Sequence, residues 1–331
     1  METLKLGNTQ LTVTRLGVGL AALGRPGYIN LAHAEDLRHN YDQRVMEQGA
    51  HAVLDVAWAA GIRYFDAARS YGLAEAFLGS WLESRHILSS EVVVGSKWGY
   101  TYTADWRVDA PVNEVKEHSL AVLRRQRRES GAALDGYLNL YQVHSATLES
   151  GVLENQAVLS ELARYREEGM AIGLTVSGTG QVETLERAMQ VVVDGRPLFQ
   201  CVQATWNLLE PSAGNILQAA HQAGIGVIVK EALANGRLTR KNDDPNFAAE
   251  LAVLTKAAFQ RGTTPDALAL AAVLAQPWAD IVLSGADTPD QLRSNVTALE
   301  VTWDGSLADS LANLAETPAA YWEKRSRLPW I

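Results

Sequence analysis

An alternation of short apolar runs with longer helical patterns, repeated along almost the whole chain, limits what it can fold into more than any other feature. The runs fall near 16–20, 62–66, 92–96, 134–143, 171–176, 198–203, 225–229 and 280–284. Between the first two, Val45, Ala50, Val53, Leu54, Ala57 and Trp58 recur at helical spacing until Gly61 stops them. Helical patterns follow at about 73–82, 112–123, 153–168, 181–192, 212–223, 248–261 with a further helix at 265–275, and 288–300. Strand-then-helix units in series build a parallel sheet covered by helices. Eight of them, with no composition break to mark a linker, predict an α/β fold: a single (β/α)8 TIM barrel occupying 1–331 as one domain. A doubly wound open sheet is the alternative.

The remaining segments decorate that frame. Residues 4–15 alternate around Gly7-Asn8, as in a short N-terminal β-hairpin. The stretch 21–45 is rich in Gly, Asn, His and charge, and a connection of that length serves as a lid or binding loop or holds a short irregular helix. Arg124, Arg125, Arg127 and Arg128 read as a solvated helix end near Asp135, although they could grip an anion. Residues 303–331 form a C-terminal helical tail whose Tyr321, Trp322 and Trp330 either pack beside the barrel or fold over its mouth.

Composition narrows the function classes. Hydrophobic residues at 47% and charged residues at 20% suit a folded chain rather than a disordered one. A net charge of −9 disfavours a broad grip on nucleic acid, while leaving room for a local nucleotide pocket. Neither a basic leader followed by an apolar segment nor a bilayer-length apolar run is present, so no membrane association and a cytoplasmic location are expected. Cys201, alone and inside Leu-Phe-Gln-Cys-Val-Gln, reads as core. No compact cluster of His, Cys and carboxylate suggests a metal site. Neither Gly-x-Gly-x-x-Gly in a strand-turn-helix setting nor a Walker sequence occurs, so a nucleotide must bind in another way.

Chemistry gathers where the strands end. Asp66 closes the run at 62–66, Tyr71 follows in a polar turn, Lys97 follows 92–96 and His144 follows 134–143. Singly, these could be a helix cap, a rim tyrosine, a surface lysine and a loop histidine. On one barrel rim they form a proton-transfer set. A phenol is a poor proton donor near neutrality, and the Lys97 ammonium should bring Tyr71 towards the working range while Asp66 neutralises and positions the lysine. His144 could hold a carbonyl oxygen or relay a proton.

These residues lie in stretches that resemble the aldo-keto reductase superfamily. Gly-Ile-Arg-Tyr-Phe-Asp66-Ala-Ala-Arg-Ser-Tyr71-Gly is similar to the family's signature around its catalytic aspartate and tyrosine. Val-Val-Gly-Ser-Lys97-Trp98-Gly is similar to the catalytic-lysine strand, and Tyr-Leu-Asn-Leu-Tyr-Gln-Val-His144 to the histidine strand. The resemblance implies carbonyl reduction in which Tyr71 is the general acid, Lys97 tunes it, Asp66 partners Lys97 and His144 orients the carbonyl. Reduced nicotinamide would supply hydride, and alcohol oxidation would reverse both transfers.

The resemblance also implies cofactor contacts. Ser177, Gln203 and Asn207 match positions near the carboxamide, and Trp206 the aromatic that stacks on the nicotinamide ring. Leu233 and Gly236 match the loop spanning the pyrophosphate, and Gly285, Gln291 and Asn295 the adenosine-binding segment. The chain departs from the family at several points. Gly178 stands where asparagine often follows the serine, and Lys230-Glu231 replaces a tyrosine-serine-proline lead-in. Gly285 and Gln291 stand where lysine and arginine are common, and Asp287 adds negative charge. The family favours NADP(H), and these departures make NAD(H) a competitor.

A small-molecule aldehyde, ketone or sugar-like alcohol is the expected substrate, with Trp98 to Trp106 and Arg69 near the pocket. The wording around Ser70, Leu73-Ala-Glu75 and Ser177-Gly178 resembles the subgroup containing aldose and galactose dehydrogenases more than aldose reductase itself. A cofactor-binding redox-sensing auxiliary protein and a barrel isomerase without nicotinamide are the alternatives; either a monomer or a homo-oligomer is compatible with the sequence.

Overall fold

The structure, a computed structural model, describes residues 1–134 and 136–330. Eight parallel strands close into a barrel. We number them β1 (Leu16–Gly19), β2 (Tyr64–Asp66), β3 (Val93–Trp98), β4 (Leu138–Ala146), β5 (Ala171–Val176), β6 (Cys201–Thr205), β7 (Gly226–Lys230) and β8 (Ile281–Ser284). Neighbours in sequence are neighbours in space, and β8 returns to β1 with Val282 opposite Leu16.

Every residue of β2, β3, β5 and β8 is buried, because one face of each strand fills the barrel and the other meets the helices. The interior cluster takes Tyr64, Val93, Leu140, Cys201, Ile228 and Ile281. The larger outer cluster takes Phe65, Val94, Tyr141, Val202, Val227 and Val282, together with the apolar stripes of the helices. Helix Gln43–Ala59 shows the local logic: the Asp42 carboxylate accepts from the Arg44 and Val45 amides, and Met46, Ala50, Val53, Leu54 and Ala57 face the core.

The expected N-terminal hairpin pairs Thr3–Lys5 with Thr12–Thr14. Its turn sits against the chain before β7. Gly7 has φ +50°, and a Cβ there would lie 2.3 Å from the Gly226 nitrogen. Gly7→Ala should therefore cost about 2 kcal/mol or more, read as a lower urea midpoint. An unchanged midpoint would show that the hairpin moves away at little cost.

Three expectations need correction. The helix expected at 112–123 is instead Leu120–Leu134, and Glu114–Lys116 forms a strand pairing antiparallel with Tyr100–Tyr102. The buried face of this helix includes Gln126 and Ser130 beside Val122, Leu123 and Leu134, so its apolar period is broken. The arginine run consequently lies inside the helix, with Arg124 donating to Glu161 at 3.0 Å and Arg125 3.7 Å from Glu129. Asp135, the expected end of that element, lies outside the described residues. Lastly, Lys97 and His144 belong to β3 and β4 rather than following them.

The segment after β1 carries only the short helix His33–Asp36 before Gln43. At the other end, helices Gly305–Leu311 and Pro318–Ser326 lead to a tail that folds over the barrel mouth, where Trp322, Arg325 and Trp330 join its wall. No helix among the described residues is long and apolar enough to cross a membrane.

Candidate active site

Side chains alternate across a strand, and the carboxyl ends of β2, β3, β4 and β6 thereby aim a polar set into the barrel. Asp66 ends β2 and is 1% exposed. Its carboxylate pairs with Lys97 Nζ and accepts from Tyr64 Oη at 3.1 Å, Gln203 Nε2 at 3.0 Å and Gln142 Nε2 at 3.3 Å. Lys97 Nζ also donates to the Ala67 carbonyl at 2.9 Å. Gly95, across from Asp66, leaves the space these groups occupy: a Cβ there would sit 2.6 Å from Tyr64 Oη.

Tyr71 stands over this pair. Lys97 Nζ lies 4.8 Å from its ring centroid, and the His144 ring meets it edge-on at 5.5 Å. Burial first, then the Asp66 carboxylate, push the phenol above its ordinary value, while Arg25 opposes them. The Lys97 ammonium is itself contacted by Asp66, and the phenol is held protonated. Burial holds His144 well below its ordinary value, reinforced by Lys97, Arg25 and Lys230, so the imidazole is neutral. Ser70 Oγ is 3.4 Å from its Nδ1.

A cavity of about 890 Å³ runs from Tyr71 and His144 past β6 and β7 to the start of helix Pro289–Val296. Ser177, Gln203, Leu233, Gly236, Gly285, Gln291 and Asn295 all line it. Asn295 donates to Ser284 at 2.9 Å, and Gln291 to Asp36 at 2.9 Å.

Trp206 and Asn207 are not on this wall. Gln203 points inward on β6, and Trp206 follows with the opposite parity. Its ring packs edge-on against Trp278 at 5.6 Å while Nε1 donates to the Pro211 carbonyl at 3.1 Å. Asn207 donates to the Glu231 carbonyl at 2.9 Å and to Tyr321 at 3.0 Å, and accepts from the Leu209 and Glu210 amides. Both residues therefore pack the structure, and the expected stacking aromatic is not offered by Trp206. Trp98 is likewise buried outside the barrel wall, edge-on to His118 at 5.4 Å, and Arg69 is bound to Glu75 at 2.6 Å and Glu129 at 3.1 Å.

Lys230, at the end of β7, reaches the cavity instead. Its ammonium donates to Ser177 Oγ at 2.9 Å and Thr205 Oγ1 at 2.8 Å. Burial lowers its pKa to about 8. Glu231 beside it is opposed by burial, yet Arg325 and Lys230 hold it down at about 2, and its pair with Arg325 ties the tail to the mouth. Arg25, Tyr28 and Lys116 also line the cavity without having been singled out from the sequence, and Trp330 of the tail joins them. Arg25 and Tyr28 lie in a loop without periodicity; the length of that loop was their only signal.

Lys230 carries a pH signature. A lysine whose folded pKa is depressed to about 8 against 10.5 destabilises the fold below that window and ceases to do so above it. The stability of the native chain relative to Lys230→Met should rise as pH goes from about 8 to about 10.5. Thermal melts in matched buffers measure this, and a constant difference would contradict it.

Among the described residues, no group of three or more His, Cys, Asp or Glu side chains is placed to hold a metal ion. The sequence model of the Aldo/keto reductase family matches residues 15–316. An uncharacterised oxidoreductase of Bacillus subtilis, YrpG, is 27% identical, covering 97% of this chain and 99% of its own. The NADH-specific methylglyoxal reductase of Escherichia coli is 25% identical, covering 96% and 99%. The holo form of aldo-keto reductase AKR11C1 from Bacillus halodurans superposes with a TM-score of 0.74 at 20% identity, covering 96% and 97%, a likeness of fold. Barrel, strand-end polar set and matched sequence together make this chain a member of the aldo/keto reductase family and an NAD(P)-dependent oxidoreductase.

Proposed function

We propose that the chain reduces a small aldehyde or ketone to an alcohol, or oxidises the alcohol in reverse, with Tyr71 as acid and base. The observation that carries this reading is the convergence of Asp66, Tyr71, Lys97 and His144 at one end of a cavity whose far end carries Gln291 and Asn295. The wall fits a dinucleotide: Gly285 opens onto empty space, and the buried Asn235 Oδ1 has no partner among the described residues. Ser177 and Gln203 would hold the carboxamide end, Leu233 and Gly236 would flank the pyrophosphate, and Gly285, Gln291 and Asn295 would receive the adenosine. When bound, the cofactor supplies or takes up hydride.

The protein's part is alignment and proton transfer. Protonated Tyr71 gives its Oη proton to the carbonyl oxygen as charge develops there, and takes it back in oxidation. A Ser70 hydroxyl donating to Nδ1 leaves the proton of neutral His144 on Nε2, free to donate to the same oxygen. Lys97, fixed by Asp66 and the Ala67 carbonyl, stabilises the phenolate that results.

Within this reading we take NAD(H) as the cofactor, against the NADP(H) that the family suggests, because carboxylates outnumber cations at the adenosine end. Asp36, Asp266, Asp287 and Asp290 lie at the adenosine end, where Lys241 is paired with Asp36, Arg293 with Asp290 and His33 with Asp287, leaving Arg240 as the further cation on that wall. An added 2′-phosphate would meet that charge. Tyr28, Tyr71, Tyr100 and Trp330 wall the substrate end, with Lys116 and His144 as polar points, which suits a small polar aldehyde such as methylglyoxal, the substrate named for one relative. We take residues 1–331 to act as one domain in the cytoplasm.

Quenching of tryptophan fluorescence should show NADH binding more tightly than NADPH, and methylglyoxal should be consumed with matching loss of reduced-nicotinamide absorbance. Absence of binding by either cofactor would defeat the enzyme reading. Binding without turnover across a panel of carbonyls and alcohols would favour an auxiliary role.

A further inference from the structure

The loop after β1 places a second cation beside Tyr71. Arg25 is 2% exposed and lines the cavity. Its guanidinium carbon lies 5.2 Å from the Tyr71 ring centroid, 4.9 Å from that of Tyr28 and 4.6 Å from that of Trp330. One nitrogen, Nη1, donates to the Ser70 carbonyl and to Glu114, each at 3.0 Å, while the buried Nε has no partner among the described residues. Arg25 therefore holds both the peptide unit leading into Tyr71 and the Tyr71 ring.

We propose that Arg25 is a positioning residue for the reaction: together with Lys97 it flanks the Tyr71 phenol, fixes its ring and favours its ionised form. This rests on Tyr71 being the acid and base. A cation is attracted to the ring of a neutral phenol and more strongly to the full charge of a phenolate, so its presence eases proton release. Lys97 serves that purpose poorly by itself, because Asp66 contacts it directly and both are buried. The partner of Arg25, Glu114, is 23% exposed, and solvent weakens its counter-effect. A delocalised guanidinium also suits a site walled by aromatic rings better than an ammonium does.

Tyr28, packed on the same guanidinium, is itself held protonated, because burial raises its phenol too. Asp66, Glu114 and Glu231 disfavour the phenolate, Arg25 opposes them, and His144 at the ring edge is neutral. The Trp330 ring of the C-terminal tail covers the guanidinium at 4.6 Å.

The test is a titration that needs no substrate. A ring-fluorinated tyrosine, more acidic because fluorine withdraws electron density, is placed at position 71 of the full chain, and its fluorine resonance is followed against pH. Arg25→Gln should raise the midpoint by about one pH unit, tenfold in the ionisation constant. Arg25→Lys should stay near the native midpoint, and Glu114→Gln should lower it. A purely structural Arg25 would not produce shifts of opposite sign from the two partners. A folded Arg25→Gln chain with an unmoved midpoint overturns the proposal, as does a lysine variant shifted as far as glutamine. If Arg25→Gln does not fold, Glu114→Gln decides: a lowered midpoint supports the proposal and an unmoved one overturns it. The acid role of Tyr71 itself is decided separately, by turnover of Tyr71→Phe on methylglyoxal, so the two failures are distinguishable.

Discussion

Tyr71→Phe is expected to lower carbonyl reduction by about 10²–10⁴-fold while dinucleotide affinity and the unfolding midpoint stay close to native. The substitution removes one atom. The Oη of Tyr71 makes no hydrogen bond among the described residues, so its loss strands no partner, while the ring keeps its edge contact with His144 at 5.5 Å. What disappears is the proton that must reach the carbonyl oxygen. The pH dependence should separate the two directions. Because burial and Asp66 hold the phenol above its ordinary value, reduction should be flat across neutral and mildly alkaline pH, and oxidation should rise with pH as the base form accumulates. Steady-state rates in both directions with the native chain and the variant would measure this. Reduction at the native rate by Tyr71→Phe would remove Tyr71 from the chemistry.

The barrel was legible in the sequence because its strands are buried on both faces and therefore written as continuous apolar runs, such as Val92-Val93-Val94 and Ala171-Ile172-Gly173-Leu174. Helix Leu120–Leu134 was misplaced for the opposite reason. Its core-facing Gln126 is buried to donate to the Tyr100 carbonyl at 2.9 Å and to accept from the Gly99 amide at 2.8 Å, and a polar residue in that position erases the period. Propensity cannot register such a hydrogen bond before the fold brings its partner near.

The same distinction divides the site. Asp66, Lys97 and His144 were found because strand ends are recognisable. Which strand-end residue faces inward is a matter of parity, and boundaries misjudged by a residue or two reverse it. Lys97, Gln203 and Lys230 fall on the inner face; Trp98 and Trp206 fall on the outer face, against His118 and Trp278. An aromatic residue near a strand end therefore looked like a pocket wall when it was packing. Lys230 looked like a departure from the family pattern when it was the wall. Arg25 could not be placed at all, since a loop without periodicity gives no direction to its side chains.

Lys97→Met is expected to lower the unfolding free energy by about 3–5 kcal/mol as well as to impair turnover. The side chain is 1% exposed and so is Asp66, so the variant leaves a buried carboxylate with only the neutral donors Tyr64, Gln142 and Gln203. Neutral hydrogen bonds do not replace a contacting ammonium at a carboxylate this buried. Adding Asp66→Asn removes the stranded charge and keeps an acceptor for those donors. The double variant should therefore regain at least half of the lost stability and none of the activity. Urea unfolding of the two single variants and the double variant closes the cycle. If Lys97→Met alone were as stable as the native chain, the contact between Lys97 and Asp66 would contribute nothing to the fold. The lysine would then matter to the phenolate alone, and a loss of turnover without a change in stability would be the signature of that role.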